Sequence, residues 1–194
     1  KTTPQIMGHI CGILAEATGC DDPYGELKAY YNSELLHALP ELEALVEAAA
    51  DPFDTALKLA ISGNLIDFAA KHTFALEELY EKLRAVSQNA LAIDNSAALR
   101  QSLAAARSLL YLGDNCGEIA LDKLFIRRLR LLYPQLQVTF GVRGRPAVND
   151  VTLQDAAAVK MEEVATILSN GDTSLGTVVE CTSPAFQAAF ADAD

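Results

Sequence analysis

Tryptophan is absent from these 194 residues, histidine occurs only three times, and the four cysteines form no CxxC pair. Without CxxC or HExxH spacing the ordinary zinc sites are excluded, and Cys11, Cys20, Cys116 and Cys181 offer no disulfide framework. Positive charge is also scarce: 15 Lys and Arg face 26 Asp and Glu, a net charge of −11 that argues against nucleic acid and acidic membrane as partners. No apolar run approaches the roughly 20 residues of a membrane span, and no charged segment followed by an apolar core marks a secretory signal. A reducing, cytoplasmic setting is the expectation. What is abundant is hydrophobic side chains, 51% of the chain, which excludes a disordered protein. His9, His37 and His72 are scattered, so any chemistry has to come from carboxylates, carboxamides and arginines.

The chain changes character near residue 100. Residues 1–100 carry seven basic and fifteen acidic side chains, residues 101–194 eight and eleven. The first part reads as all-helical. Leu35, Leu36, Leu39, Leu42, Leu45 and Val46 recur at helical spacing around Pro40, which suits a helix start, and Asp51-Pro52 opens another helix. Cys11, in an apolar run, is expected to be a small buried hydrophobe. The second part alternates. Apolar runs at 108–112, 138–142 and 165–169 read as strands, with a helical stripe through Leu121, Leu124, Phe125 and Leu129. Thr152 to Asp155 reads as a capping box, and Ser183-Pro184 opens a last helix. The pattern is βαβαβα, an α/β fold with a parallel sheet wrapped by helices, in which ligands bind beyond the carboxyl ends of the strands.

Three polar segments stand at those ends. Gly113-Asp114-Asn115-Cys116-Gly117-Glu118 offers oxygen donors suited to a hard cation such as Mg²⁺ or Mn²⁺; an Asx turn capping the next helix explains it about as well. Asp150, after the second strand, supplies another hard ligand, and Arg143 or Arg145 a planar fork for phosphate oxygens. Lys123, Arg127, Arg128 and Arg130 read as a solvated helix face. Ser169 to Thr177 places glycine and hydroxyl residues where backbone N–H groups could meet an anion, although an ordinary loop explains it nearly as well. The spacing Gly113–Gly117 is not GxGxxG, and Cys116 stands where a haloacid-dehalogenase-type phosphatase needs a second Asp.

Four motifs in order resemble the DUF89 family, the damage-control phosphatases or ARMT1-like proteins, in their microbial branch. They are Thr18-Gly19-Cys20-Asp21-Asp22-Pro23-Tyr24 with Lys28, Ser62-Gly63-Asn64 through Asp67, Asp114-Asn115-Cys116-Gly117-Glu118 with Asp122, and Val142-Arg143-Gly144 through Asn149-Asp150-Val151-Thr152 with Asp155. The resemblance implies a Rossmann-like parallel sheet, residues 101–194, preceded by a helical cap, residues 1–100. It implies a divalent-metal-dependent phosphatase acting on small phosphorylated metabolites, with Mg²⁺, Mn²⁺, Co²⁺ or Ni²⁺ held by Asp114, Asn115 and Asp150. Asp114 and Glu118 would be catalytic, and Asn64, Asp67, Arg143, Arg145 and Asn149 would face substrate. The family pattern continues with a further strand and a KG-x-GN-(F/Y)-E segment, so the chain is expected to be a piece that stops before the last strand or strands. A carboxyl methyltransferase, also attached to the family name, is the rival activity. The Arg143–Pro146 loop stands where an S-adenosylmethionine site wants an acidic residue. A non-catalytic metabolite-binding module is the other alternative.

Overall fold

The computed structural model describes residues 2–64 and 76–194, those at 76–79, 87 and 88 by backbone alone. Helix starts follow their capping chemistry. Asp51 accepts the Asp54 N–H and Pro52 takes the first position of α3, Pro52–Gly63. A Thr152–Asp155 capping box opens α7, Leu153–Ala158, and Ser183 accepts the Phe186 N–H to start α8, Pro184–Asp192. Upstream lie α1, Thr3–Thr18, and α2, Gly25–Ala48, and after α3 come α4, Leu76–Gln88, and α5, Ser96–Ala105. Among the described residues no strand precedes β1, Ser108–Leu112, which is followed by α6, Glu118–Leu132, β2, Gln137–Val142, and β3, Thr166–Ser169.

Pro40 does not start a helix; α2 runs through it. An internal proline costs about 3 kcal/mol. Leu35, Leu39, Leu42 and Val46 are all buried on one stripe, and each is worth roughly 1.5–3 kcal/mol. Continuing the helix therefore wins. Lys123 likewise is not on a solvated face: it is buried, its ammonium 2.7 Å from Glu163 and 2.8 Å from the Val159 carbonyl. Its α6 neighbours Arg127 and Arg128 pair with Glu43 and Glu47 of α2. Cys11 is only half-buried.

The sheet is parallel in the order β1-β2-β3, with Tyr111 opposite Phe140 and Phe140 opposite Ile167. Side chains alternate between its faces. Tyr111 and Phe140 stack, with ring centroids 5.6 Å apart, on the face covered by α6, where the Tyr111 hydroxyl donates to Asp122 at 2.6 Å. Gly141 turns to the other face, where Phe186 of α8 lies so close that an added Cβ would stand 3.0 Å from its ring. One hydrophobic cluster includes Leu35 and Phe53 from the helical part and Phe125 and Phe140 from the α/β part. Phe53 meets Phe125 edge-on at 5.5 Å. At the end of α3, a Cβ on Gly63 would stand 2.7 Å from the Glu118 side chain and 3.0 Å from its Cα. That close approach brings the end of α3 to the carboxyl edge of the sheet.

Candidate active site

All three strands deliver their following loops to one edge, and backbone hydrogen bonds lace two of them together. Val151 N–H donates to the Asp114 carbonyl and Cys116 N–H to that of Asn149, both at 2.9 Å, and Arg143 N–H donates to Val151. Asn115 and Asp150 thereby face each other as an antiparallel bridge. The tight turn that presents Asn149 and Asp150 places Val148 at φ +49°, in the left-handed region, where a β-branched residue is strained by about 1–3 kcal/mol. Asp114, Asn115, Arg143, Val148, Asn149 and Asp150 line a pocket of about 360 Å³ whose remaining wall is Leu175 and Gly176.

Inside it the side chains form one polar net. The Asn115 amide donates to Asp114 Oδ2 and to Glu118 Oε2, both at 3.0 Å, and the Asn64 amide reaches Asp114 Oδ2 at 3.3 Å. Arg143 Nε donates to Asp150 Oδ2 at 2.6 Å, and one terminal nitrogen stands 3.4 Å from Asp114 Oδ1. Burial pushes the Glu118 carboxyl above its usual range, helped by the Asp114 charge and opposed by Asn115. Burial also raises Asp150, with Arg143 pulling it back. Two carboxylates and a carboxamide are hard oxygen donors, and the side-by-side strand ends put all three at one place, a set that fits Mg²⁺ or Mn²⁺. Among the described residues no three of His, Cys, Asp and Glu gather as a metal cluster, so this fit depends on the asparagine.

Of the residues expected at the site, Asp114, Asn115, Glu118, Arg143, Asn149, Asp150 and Asn64 are thus brought together. Asp67 lies outside the described residues. Arg145 is not among the pocket-lining side chains; one terminal nitrogen stands against α1, 3.7 Å from where a Cβ on Gly12 would be. Nor does the 169–177 loop hold out a row of N–H groups to an anion. Those of Gly171, Asp172, Thr173 and Ser174 go to Ser169, Asn170 and Asp172 side chains, and that of Leu175 to the Pro4 carbonyl of α1. The loop instead supplies Thr177, whose hydroxyl accepts from Arg143 at 2.8 Å.

Sequence reasoning named Lys28, Asp22 and Asp155 within the motifs but gave them no role, and it passed over Asn32. Lys28 of α2 is 1% exposed, its ammonium 2.8 Å from Asp155 and 2.9 Å from Asp22. Burial opposes its charge, but the two carboxylates overcome that and hold its pKa above the ordinary lysine value. One turn on, Asn32 Oδ1 accepts the Gly117 N–H at 2.6 Å, fixing the loop that carries Asp114 and Asn115. Gly117 has φ +83°, which glycine alone adopts without strain. Cys116 is fully buried beside Asp155 and Asn32, and burial drives its thiol pKa upward, so it stays protonated. The signal was present: residues 28, 32, 35 and 39 fall on one helical stripe, so a lysine and an asparagine stand on an otherwise apolar face.

A family model described as the damage-control phosphatase ARMT1-like domain matches residues 4–194. A damage-control phosphatase of Archaeoglobus fulgidus is 32% identical over 167 residues, covering 85% of this chain and 57% of its own length. One of Pyrococcus horikoshii is 30% identical over 192 residues, covering 98% of this chain and 65% of its own length. The crystal structure of a DUF89 family protein from P. horikoshii superposes with a TM-score of 0.81 at 29% identity, over 93% of this chain and 61% of that one. The chain therefore spans less than two thirds of the length of these relatives. Among the described residues no helix is long and apolar enough to cross a membrane.

Proposed function

The chain belongs to the damage-control phosphatase ARMT1-like domain family, and from that premise we propose that it hydrolyses small phosphorylated metabolites, either sugar phosphates or damaged phospho-metabolites. The observation that carries this reading is the lacing of the first two strand-end loops, which sets Asp114, Asn115 and Asp150 around one pocket. These three residues would hold a divalent cation. When bound, such a cation polarises phosphorus and acidifies a coordinated water.

The chain's own groups do the rest. Asp114, about half-exposed at the pocket wall, orients the attacking water and takes its proton. Its Asn115 and Asn64 hydrogen bonds hold that carboxylate in place. Glu118, tied to Asn115, aligns water or substrate. The Arg143 guanidinium, still presenting N–H groups along its edge, and the Asn149 side chain meet the phosphoryl oxygens as their charge grows. A pocket of about 360 Å³ has the volume of a small-metabolite site.

The test is phosphate release from a panel of sugar phosphates with Mg²⁺, Mn²⁺, Co²⁺ or Ni²⁺. Turnover should vanish with EDTA and return with metal. Asp114→Ala should lower turnover by at least about 100-fold while the circular dichroism spectrum stays that of the wild type. Metal-independent turnover, or a fully active Asp114→Ala, defeats the reading.

A further inference from the structure

We propose that Arg143 sets how tightly the site holds its divalent cation, acting as a built-in counter-ion with which the cation must compete. This rests on the reading that Asp114, Asn115 and Asp150 form the cation site. The guanidinium is committed on three sides: Nε to Asp150 Oδ2 at 2.6 Å, one terminal nitrogen 3.4 Å from Asp114 Oδ1, and the other to Thr177 Oγ1 at 2.8 Å. It thus engages one oxygen of each carboxylate that a cation would need.

The counter-charge is permanent. Arginine stays charged at any pH the protein survives. Asp150 is 5% exposed, so water does little to screen its pairing. The backbone of Arg143 is fixed as well, its N–H bonded to Val151 and its position bridged to Thr152. The remaining freedom is in the side chain, and Thr177 holds that from the far wall. A cation arriving at Asp114 and Asp150 therefore meets a neighbouring positive charge and two oxygens already in use.

A merely structural role predicts the opposite sign. If Arg143 only stapled the loops, removing it would loosen Asp114 and Asp150 and weaken the cation. If it competes, removing its charge strengthens the cation. One adjacent opposite charge lowers a carboxylate's proton affinity by about 10- to 1,000-fold, and a divalent cation at the same oxygens feels the same field, so the gain should be large.

The experiment is Mn²⁺ titration of the whole chain, without substrate, followed by electron paramagnetic resonance of the free ion. Arg143→Gln should lower the Mn²⁺ dissociation constant by at least about ten-fold. Arg143→Lys keeps the charge but loses the fork that spans both carboxylates, and should bind more tightly than wild type but less so than Arg143→Gln. Unchanged or weaker binding in Arg143→Gln overturns the proposal. Should that variant not fold, Arg143→Lys decides, and affinity equal to or below wild type overturns it. A wild type that takes up no Mn²⁺ at millimolar concentration, with Asp150→Asn no different, overturns instead the reading of the site on which the proposal stands.

Discussion

Replacing Lys28 with methionine keeps most of the stem volume and removes only the charge, which isolates the ion pair beneath the site. Breaking a buried pair by removing one partner costs about 3–5 kcal/mol, because the other charge is left without compensation. The geometry places Lys28 at the low end of that range. Asp155 Oδ2 would keep the Thr152 N–H at 2.8 Å and the Thr152 hydroxyl at 2.7 Å, and Asp22, with a side chain 27% exposed, is largely resolvated. The expected loss is therefore about 3 kcal/mol, or roughly 6–12 °C in melting temperature for a chain of this size. Urea unfolding followed by circular dichroism measures it. A second substitution, Asp155→Asn, made in the Lys28→Met background should cost less than the same change in wild type, with a coupling of at least about 1 kcal/mol. A Lys28→Met variant within 1 kcal/mol of wild type, or a strictly additive double variant, would refute the view that this pair is buried and interdependent.

Two further expectations concern the same edge of the sheet. Asp122 is 2% exposed beside the Tyr111 hydroxyl, and burial lifts its carboxyl well above the usual range. Its stabilising protonated form is complete below the unfolded value of about 3.9 and is lost as pH rises through the folded value, by up to about 1.4 kcal/mol per pH unit. Asp122→Asn should flatten the decline of the urea midpoint between pH 4 and 8, and an unchanged slope would remove Asp122 from the account. Gly63→Ala drives a Cβ into Glu118 at 2.7 Å and should cost about 1–3 kcal/mol, seen as a melting point lower by roughly 2–12 °C. A wild-type melting curve would show that α3 can move aside freely.

The strands of the second half and the caps of both halves were legible because their signals are local. Strand runs end at Gly113-Asp114 and Arg143-Gly144, and Thr152, Ser183 and Asp51 all cap the helices that their spacing predicts. The loops that line the pocket were legible in part for the same reason: Asp114 and Asn115 follow β1 almost at once, whereas Asp150 lies well along the loop after β2. What escaped was everything decided by a distant partner. Lys123 looks like a surface lysine until Glu163 is brought to it, and Lys28, although it stands in a motif, shows no role until Asp155 is. Pro40 looks like a helix start until the stripe around it is seen to be buried on both sides. The loop after β3 looked like an anion cradle, and its N–H groups turned inward because Asp172 and α1 were there to receive them.

The pocket's last wall has a history written into the order of the chain. Gly8 of α1 lies against the Thr173–Ser174 backbone so closely that a Cβ would be 2.0 Å from the Thr173 oxygen, and Pro4 accepts the Leu175 N–H. A helix made early thus docks on a loop made well over a hundred residues later. At ordinary translation rates of about 5–20 residues per second, α1 waits roughly 10–30 s for the surface it will cover. During that interval the α1 side that meets the loop has nothing to meet, while Ile6, Ile10, Ile13 and Leu14 stay exposed even afterwards. Closure of this pocket thus has to wait until the loop after β3 has been made, and the helix that waits is the segment a chaperone would be expected to hold.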